Sequence, residues 1–128
     1  MKVRQGFVSN SSSSSFIIGC KGKLTETKIM EAMGITETKN SLIYPFAKKI
    51  VEFFVNKAEI ITKTEYMDGM GYEEESEIEE DVLAIFNSNM DLYMGFASDD
   101  TGGVEDAICG MDFDYVSPTL VIKKEERY

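Results

Sequence analysis

Apolar positions recur along the chain with two different periods, and these periods predict its secondary structure. One helix is predicted over residues 41–57, because its apolar residues fall at spacings of three and four. They are Ile43, Phe46, Ala47, Ile50, Val51 and Phe54. Pro45 is compatible only with the start of this helix, since an interior proline removes a donor and clashes. A shorter helix is predicted from a Thr25 cap to Met33, followed by a left-handed Gly34.

Strands and two further helices follow from the rest of the pattern. Strands are predicted over 16–20, 59–67, 91–97 and 119–123, where apolar and β-branched residues form short or alternating runs. Helices are predicted over 73–86 and 104–109. The pattern therefore predicts a single small α+β domain over residues 16–128. It would hold a sheet of about four strands with three to four helices on one face, after a serine-rich leader or arm over residues 1–15.

Length and composition agree with one folded, water-soluble domain. The chain has 128 residues, of which 43% are hydrophobic, including 8 Phe and 6 Tyr, and this is enough to build a core. No apolar run is long enough to cross a bilayer or to serve as a secretory signal, so a cytoplasmic protein without membrane contact is predicted. Cys20 and Cys109 are then expected to remain thiols that pack as small hydrophobic residues.

The chain contains no histidine, and this narrows the possible chemistry. Ser-His-Asp and Cys-His catalysis and nearly all zinc sites are excluded, so no catalytic residue is assigned. Carboxylates remain as ligands for Mg²⁺ or Ca²⁺, and Asp99, Asp100 and Glu105 are the candidate metal ligands. The alternative is that Asp100 or Thr101 caps the helix that follows.

Charge is distributed unevenly along the sequence. The net charge is −10, yet residues 1–63 carry ten basic and five acidic side chains, whereas residues 64–122 carry sixteen acids and no base. Three explanations of this distribution are open. The two halves fold against each other with complementary charges, or the acidic half faces a basic partner, or the acidic half binds divalent cations. Nucleic acid is not an expected partner, because the negative charge repels phosphate.

The densest acidic run is the predicted partner-binding surface. Its members are Glu73, Glu74, Glu75, Glu77, Glu79, Glu80 and Asp81. Over two helical turns such a run would match the charge density of duplex DNA, which carries one charge per about 1.7 Å. It would thereby imitate nucleic-acid phosphates in the basic groove of another protein. The alternative is a solvated helix start, whose acids suit the helix dipole.

A serine run separates two apolar anchors, Phe7-Val8 and Phe16-Ile17-Ile18. A docking or modification segment is predicted over Ser11, Ser12, Ser13, Ser14 and Ser15. A solvated connector is the first alternative. The second is an anion cradle of hydroxyls and backbone N–H groups, assisted by Lys2, Arg4, Lys21 and Lys23.

The stretch GFVSNSSSSSF at residues 6–16 resembles the opening of small bacteriophage-type proteins that carry no assigned activity. The resemblance covers about the first twenty residues and implies a phage-type protein acting in the cytoplasm of an infected bacterium. No functional residue transfers from it. Together with the charge pattern, it leads us to expect a non-enzymatic protein that binds a basic host or phage protein, such as an anti-defence or host-takeover inhibitor. The alternatives are a virion or assembly component and a small carboxylate- and Mg²⁺-dependent enzyme.

Overall fold

The computed structural model describes residues 13–34, 42, 44–98, 103–110 and 112–125. They form an α+β fold in one small domain, as the sequence predicted, with five strands rather than about four. In chain order the elements are β1 (Ser13–Cys20), α1 (Glu26–Ala32), α2 (Tyr44–Lys57), β2 (Glu59–Ile61), α3 (Lys63–Met70), a 3₁₀ turn (Glu75–Glu77), α4 (Glu80–Asn87), β3 (Asp91–Ser98), α5 (Gly103–Gly110), β4 (Asp114–Val116) and β5 (Leu120–Glu125).

The strands form one antiparallel sheet in the order β2-β3-β1-β5-β4, with β1 at its centre. β1 pairs with β3 from Ser13 to Cys20 and with β5 from Ser15 to Cys20. All five residues from Phe16 to Cys20 are buried. A strand whose consecutive residues are all buried must be covered on both faces of its sheet.

Helices accordingly pack on both faces of the sheet, and the prediction of helices on one face is wrong. We call the side covered by α1, α2 and α5 the α2 face, and the side covered by α3 and α4 the α4 face. The α2-face core contains Phe16, Ile18, Cys20, Leu24, Ile29, Ile50, Val51, Phe53, Phe54, Ala97, Ile108, Leu120 and Ile122. The α4-face core contains Ile17, Tyr66, Tyr72, Ile78, Val82, Ile85, Met90, Leu92 and Val121.

The two helices predicted from caps and spacing are confirmed. The Thr25 hydroxyl accepts a hydrogen bond from the Lys28 N–H at 3.3 Å, and Gly34 has a φ of 76° after α1. α2 begins at Tyr44, so that Pro45 lies in its first turn, where a missing N–H costs nothing. Phe46 is 48% exposed and does not join the predicted stripe. Ile43 lies outside the described residues.

The strand predicted over 59–67 is wrong beyond Ile61, because a capping box starts a helix there. The Thr62 hydroxyl accepts from the Glu65 N–H at 3.1 Å, and the Glu65 carboxylate accepts from the Thr62 N–H at 2.9 Å. This reciprocal pair satisfies two donors at the start of α3. α3 then ends at a left-handed Gly71 with a φ of 74°.

The helix predicted over 73–86 is wrong in its first half. Residues 75–77 form a 3₁₀ turn, Ile78 and Glu79 are extended, and α4 begins only at Glu80. Ile78 still joins Val82 and Ile85 in the α4-face core, so the apolar positions were correct although the backbone was not.

The predictions for the remaining elements are close to the structure. β3, α5 and β5 lie within two residues of the predicted bounds. β1 begins at Ser13 rather than Phe16, so the expected boundary between leader and domain falls inside this strand. β4 was not predicted, because its three residues are all exposed and show no alternation.

Neither cysteine forms a disulfide. Cys20 is fully buried and Cys109 is partly buried, in agreement with the expected packing role. Among the described residues, no helix combines the length and the apolar character that crossing a membrane requires.

Candidate protein-binding surface

The acidic run lies on the α4 side of the sheet, in the connection between α3 and α4 and in the first turn of α4. Five of its members are exposed: Glu73, Glu74, Glu75, Glu77 and Glu80. The other two, Glu79 and Asp81, are partly buried. The segment from Thr62 to Met90, which forms this outer layer, carries nine carboxylates and one lysine. We call it the acidic layer.

Hydrogen bonds inside the acidic layer fix the course of the connection. The Glu77 carboxylate accepts from the backbone N–H groups of Glu73 at 2.6 Å and Glu74 at 3.0 Å. The Glu79 carboxylate accepts from the phenols of Tyr66 and Tyr72, one on each oxygen. Both tyrosines are buried, with ring centroids 6.1 Å apart. The acidic connection is therefore attached to the core by neutral donors.

Ion pairing within the described residues neutralises little of this charge. The Lys63 ammonium lies 3.0 Å from the Glu75 carboxylate. Among the described residues, this ion pair connects the basic first half of the chain with the acidic run. The same ammonium lies 6.0 Å from the centroid of the Phe86 ring. Tyrosine and backbone donors, which carry no charge, are among the partners of Glu77 and Glu79. In the part of the chain that the structure describes, one lysine thus lies within ion-pairing distance of one of the seven carboxylates of the run.

The opposite side of the sheet carries the lysines. Segments 21–34 and 44–57 contain six lysines and three glutamates. Lys48 contacts Glu26 at 3.1 Å and Glu52 at 3.4 Å, and the Glu26 carboxylate raises the pKa of the Lys48 ammonium above its ordinary value. These two segments thus carry a net charge of +3, whereas the acidic layer carries −8.

The described serines of the predicted docking segment belong to the central strand. Ser15 pairs with Phe96 on one side and Glu125 on the other, and the side chains of Ser14 and Ser15 are partly buried. A partner could not add a strand beside Ser15, because both edges of β1 are already used there. Ser11 and Ser12 lie outside the described residues.

One end of the α4 face is less covered than the rest. Phe96, at this end of β3, is 61% exposed, whereas its neighbour Ala97, which points to the α2 face, is fully buried. Ser15 lies directly across from Phe96. We call these two positions the open end. The sequence pattern had placed Phe96 on the same strand face as Leu92 and Met94, and it contained no signal that the helices would stop short of it.

The candidate metal ligands cannot be placed. Asp99 and Asp100 lie outside the described residues, as does the side chain of Glu105. In the described part of the chain, no three side chains of the metal-binding types come together as a candidate ion site. Tyr66 and Tyr72 were missed as supports of the acidic layer, because neither their spacing nor their type indicated a contact with Glu79.

Comparisons with known proteins add no assignment: no protein family, no curated protein and no solved structure matches this chain.

Proposed function

We propose that this chain is a non-enzymatic, phage-type interaction protein that binds a host or phage protein with a basic surface through its acidic layer. The observation that supports this most directly is the set of exposed carboxylates at residues 73–80, with one described lysine partner among them. Charges of one sign on one side of a protein attract an oppositely charged partner over long range and raise its association rate. An anti-defence or host-takeover inhibitor that acts in an infected bacterium is one concrete form of this function.

The supports of the acidic layer make it more suitable for binding than a flexible acidic tail. A flexible segment must be ordered when it binds, and this lowers the affinity. Here the connection is held by Glu77 to its own backbone and by Glu79 to two buried tyrosines. The carboxylates of Glu73, Glu74 and Glu80 are consequently presented by a backbone whose course is already set.

The test compares two variants of equal net charge. In the first, Glu73→Gln, Glu74→Gln and Glu80→Gln remove three exposed charges from the acidic layer. In the control, Glu31→Gln, Asp91→Asn and Asp112→Asn remove three exposed charges outside this segment. Proteins captured from a lysate of phage-infected bacteria are purified, and their association rates with wild type and variants are measured at low and high salt.

We expect the first variant to associate about tenfold more slowly at low salt, and the control to remain near wild type. Equal rates for the two variants would show that only net charge matters and would overturn the proposal. Capture of capsid or tail proteins, unaffected by either variant, would instead support an assembly component. Binding of Mg²⁺ without any captured protein would support the alternative of a small carboxylate- and Mg²⁺-dependent enzyme.

A further inference from the structure

We propose that the open end of the α4 face is a docking site for an amphipathic helix of the basic partner. The apolar stripe of that helix would cover Phe96, and its lysine or arginine flanks would face the exposed carboxylates on the same side of the sheet. This inference rests on the proposed function, because it specifies the shape of the segment that the acidic layer attracts.

The first argument is the unequal coverage of the two faces at the end of β3. On the α2 face, Ala97 is fully buried, and the Cys109 thiol of α5 donates to the Ala97 carbonyl oxygen at 3.4 Å. On the α4 face, the adjacent Phe96 is 61% exposed. Helix α5 thus covers this end of the strand on one face, and no described helix does so on the other.

The second argument is that Phe96 continues an existing core. Met94, two residues earlier on the same face, packs against the α4-face core, and Ile17 beside it is fully buried. Ser15, directly across from Phe96, contributes a short polar side chain instead of an apolar one. An aromatic side chain at the edge of a core is the residue type that is enriched at the centres of protein interfaces.

The third argument is the width of a helix compared with the spacing of residues on the strand face. Residues on one face of a strand are two positions apart, or about 6.8 Å, and a helix with its side chains is about 10 Å wide. One helix laid over Phe96 would therefore also cover the next position on the same face of the strand. Such a helix would occupy the place that α5 holds on the other face.

The fourth argument is the charge around the open end. Glu59 is exposed and lies across from Met94 at one edge of the sheet. Asp114 is 74% exposed at the other edge, 3.7 Å from the ammonium of Lys123, which is itself only 27% exposed. Exposed carboxylates therefore lie at both edges of the α4 face in the row of Met94, two residues from Phe96, and that of Asp114 is paired with Lys123. A helix with cationic flanks fits this arrangement, and an acidic or uncharged helix does not.

The test uses two synthetic peptides of eighteen residues, built from leucine and lysine in the same proportion. In the striped peptide the leucines recur at helical spacing, and in the scrambled peptide they do not. We expect wild type to bind the striped peptide about tenfold more tightly, because only this peptide buries the Phe96 ring. Phe96→Thr should abolish this preference.

Ile60→Thr is the matched control. Ile60 is also an exposed apolar strand residue, at 58%, but it lies across from Tyr93 and therefore on the α2 face. We expect this variant to keep the preference for the striped peptide. If Phe96→Thr keeps the preference as well, or if Ile60→Thr loses it, the open end is not the docking site.

A fluorescent reporter checks the location directly. The chain has no tryptophan, so Phe96→Trp introduces a single indole at the open end. The striped peptide should shift its emission to the blue, and the scrambled peptide should leave it unchanged. A blue shift that instead grows with protein concentration alone would identify a second copy of this chain as the occupant and overturn the inference.

The outcomes separate this inference from the proposed function. Salt-sensitive binding of both peptides with equal affinity would overturn the helix site and leave the acidic layer supported. Failure of both peptides to bind at low salt would contradict the acidic layer and the helix site together.

Discussion

The contact between α4 and the sheet makes a sharp prediction about Gly19. A Cβ atom added to this residue would lie 2.7 Å from Ile85 Cγ1 and 2.8 Å from Ile85 Cγ2. Distances this short force α4 away from β1 or force Ile85 out of its rotamer. Overpacking of this kind costs about 1–3 kcal/mol. We therefore expect Gly19→Ala to lower the free energy of unfolding by about 2 kcal/mol.

A double-mutant cycle shows whether Ile85 is the cause. Ile85→Ala alone should cost about 2–5 kcal/mol, because Ile85 is 1% exposed and its removal leaves a cavity. In that background the methyl group added at position 19 no longer meets Cγ1, Cγ2 and Cδ1 of Ile85 and fills part of the cavity instead. Gly19→Ala should then be close to neutral, which gives a favourable coupling of about 1–3 kcal/mol between the two positions.

The assay is urea unfolding followed by circular dichroism, with free energies compared at an unchanged m value. Gly69→Ala is the control, because a Cβ atom at Gly69 would meet nothing within 4 Å. It lies inside helix α3 and should stabilise the protein by about 0.5 kcal/mol. If Gly19→Ala stays within about 0.5 kcal/mol of wild type, or costs the same with Ile85 removed, the packing argument is refuted.

Three further predictions concern the bonds that support the two sides of the sheet. Thr62→Ala should cost about 1 kcal/mol in urea unfolding and loosen the start of α3, since its hydroxyl accepts from Glu65. Tyr72→Phe should cost about 1–3 kcal/mol and speed amide exchange in the acidic connection, because Glu79 loses a donor. Lys28→Met should lower the thermal midpoint by a few degrees, because the ammonium donates to two backbone carbonyls of the preceding turn, at 3.0 and 2.6 Å.

Each of these three variants has a control at a residue of the same type. Thr64→Ala changes an exposed threonine inside α3 and should be neutral, so an equal loss at both threonines would contradict the capping role. Tyr115→Phe alters a tyrosine that is 36% exposed. In this variant the amide exchange of the acidic connection should match that of wild type. Lys49→Met removes an exposed lysine of α2, and a thermal midpoint as low as that of Lys28→Met would argue against the carbonyl contacts.

Features decided by residues close in the chain could be predicted from the sequence. The Thr25 cap, the position of Pro45 and the left-handed Gly34 all involve neighbours within one helical turn. The capping box of Thr62 and Glu65 is equally local and was present in the sequence, so α3 could have been predicted in place of a long strand. The apolar and β-branched run of residues 16–20 likewise indicated a strand.

The composition of the acidic layer was visible in the sequence, but its shape was not. Tyr66 and Tyr72 reach Glu79 across thirteen and seven residues, so their hydrogen bonds depend on how α3 and α4 pack. Those bonds, together with Glu77 and its backbone contacts, interrupt a run that local preference would have made helical.

By itself the sequence determined the α+β class, the main core helix, the strand over residues 16–20 and the uneven charge, because each depends on periodicity or on composition. Only the tertiary structure decided that the helices divide between two faces and that α3 and α4 leave Phe96 exposed. The same strand pattern is compatible with helices on one face or two. The choice depends on which strands pair and on where each connection returns to the sheet, and no local pattern encodes that.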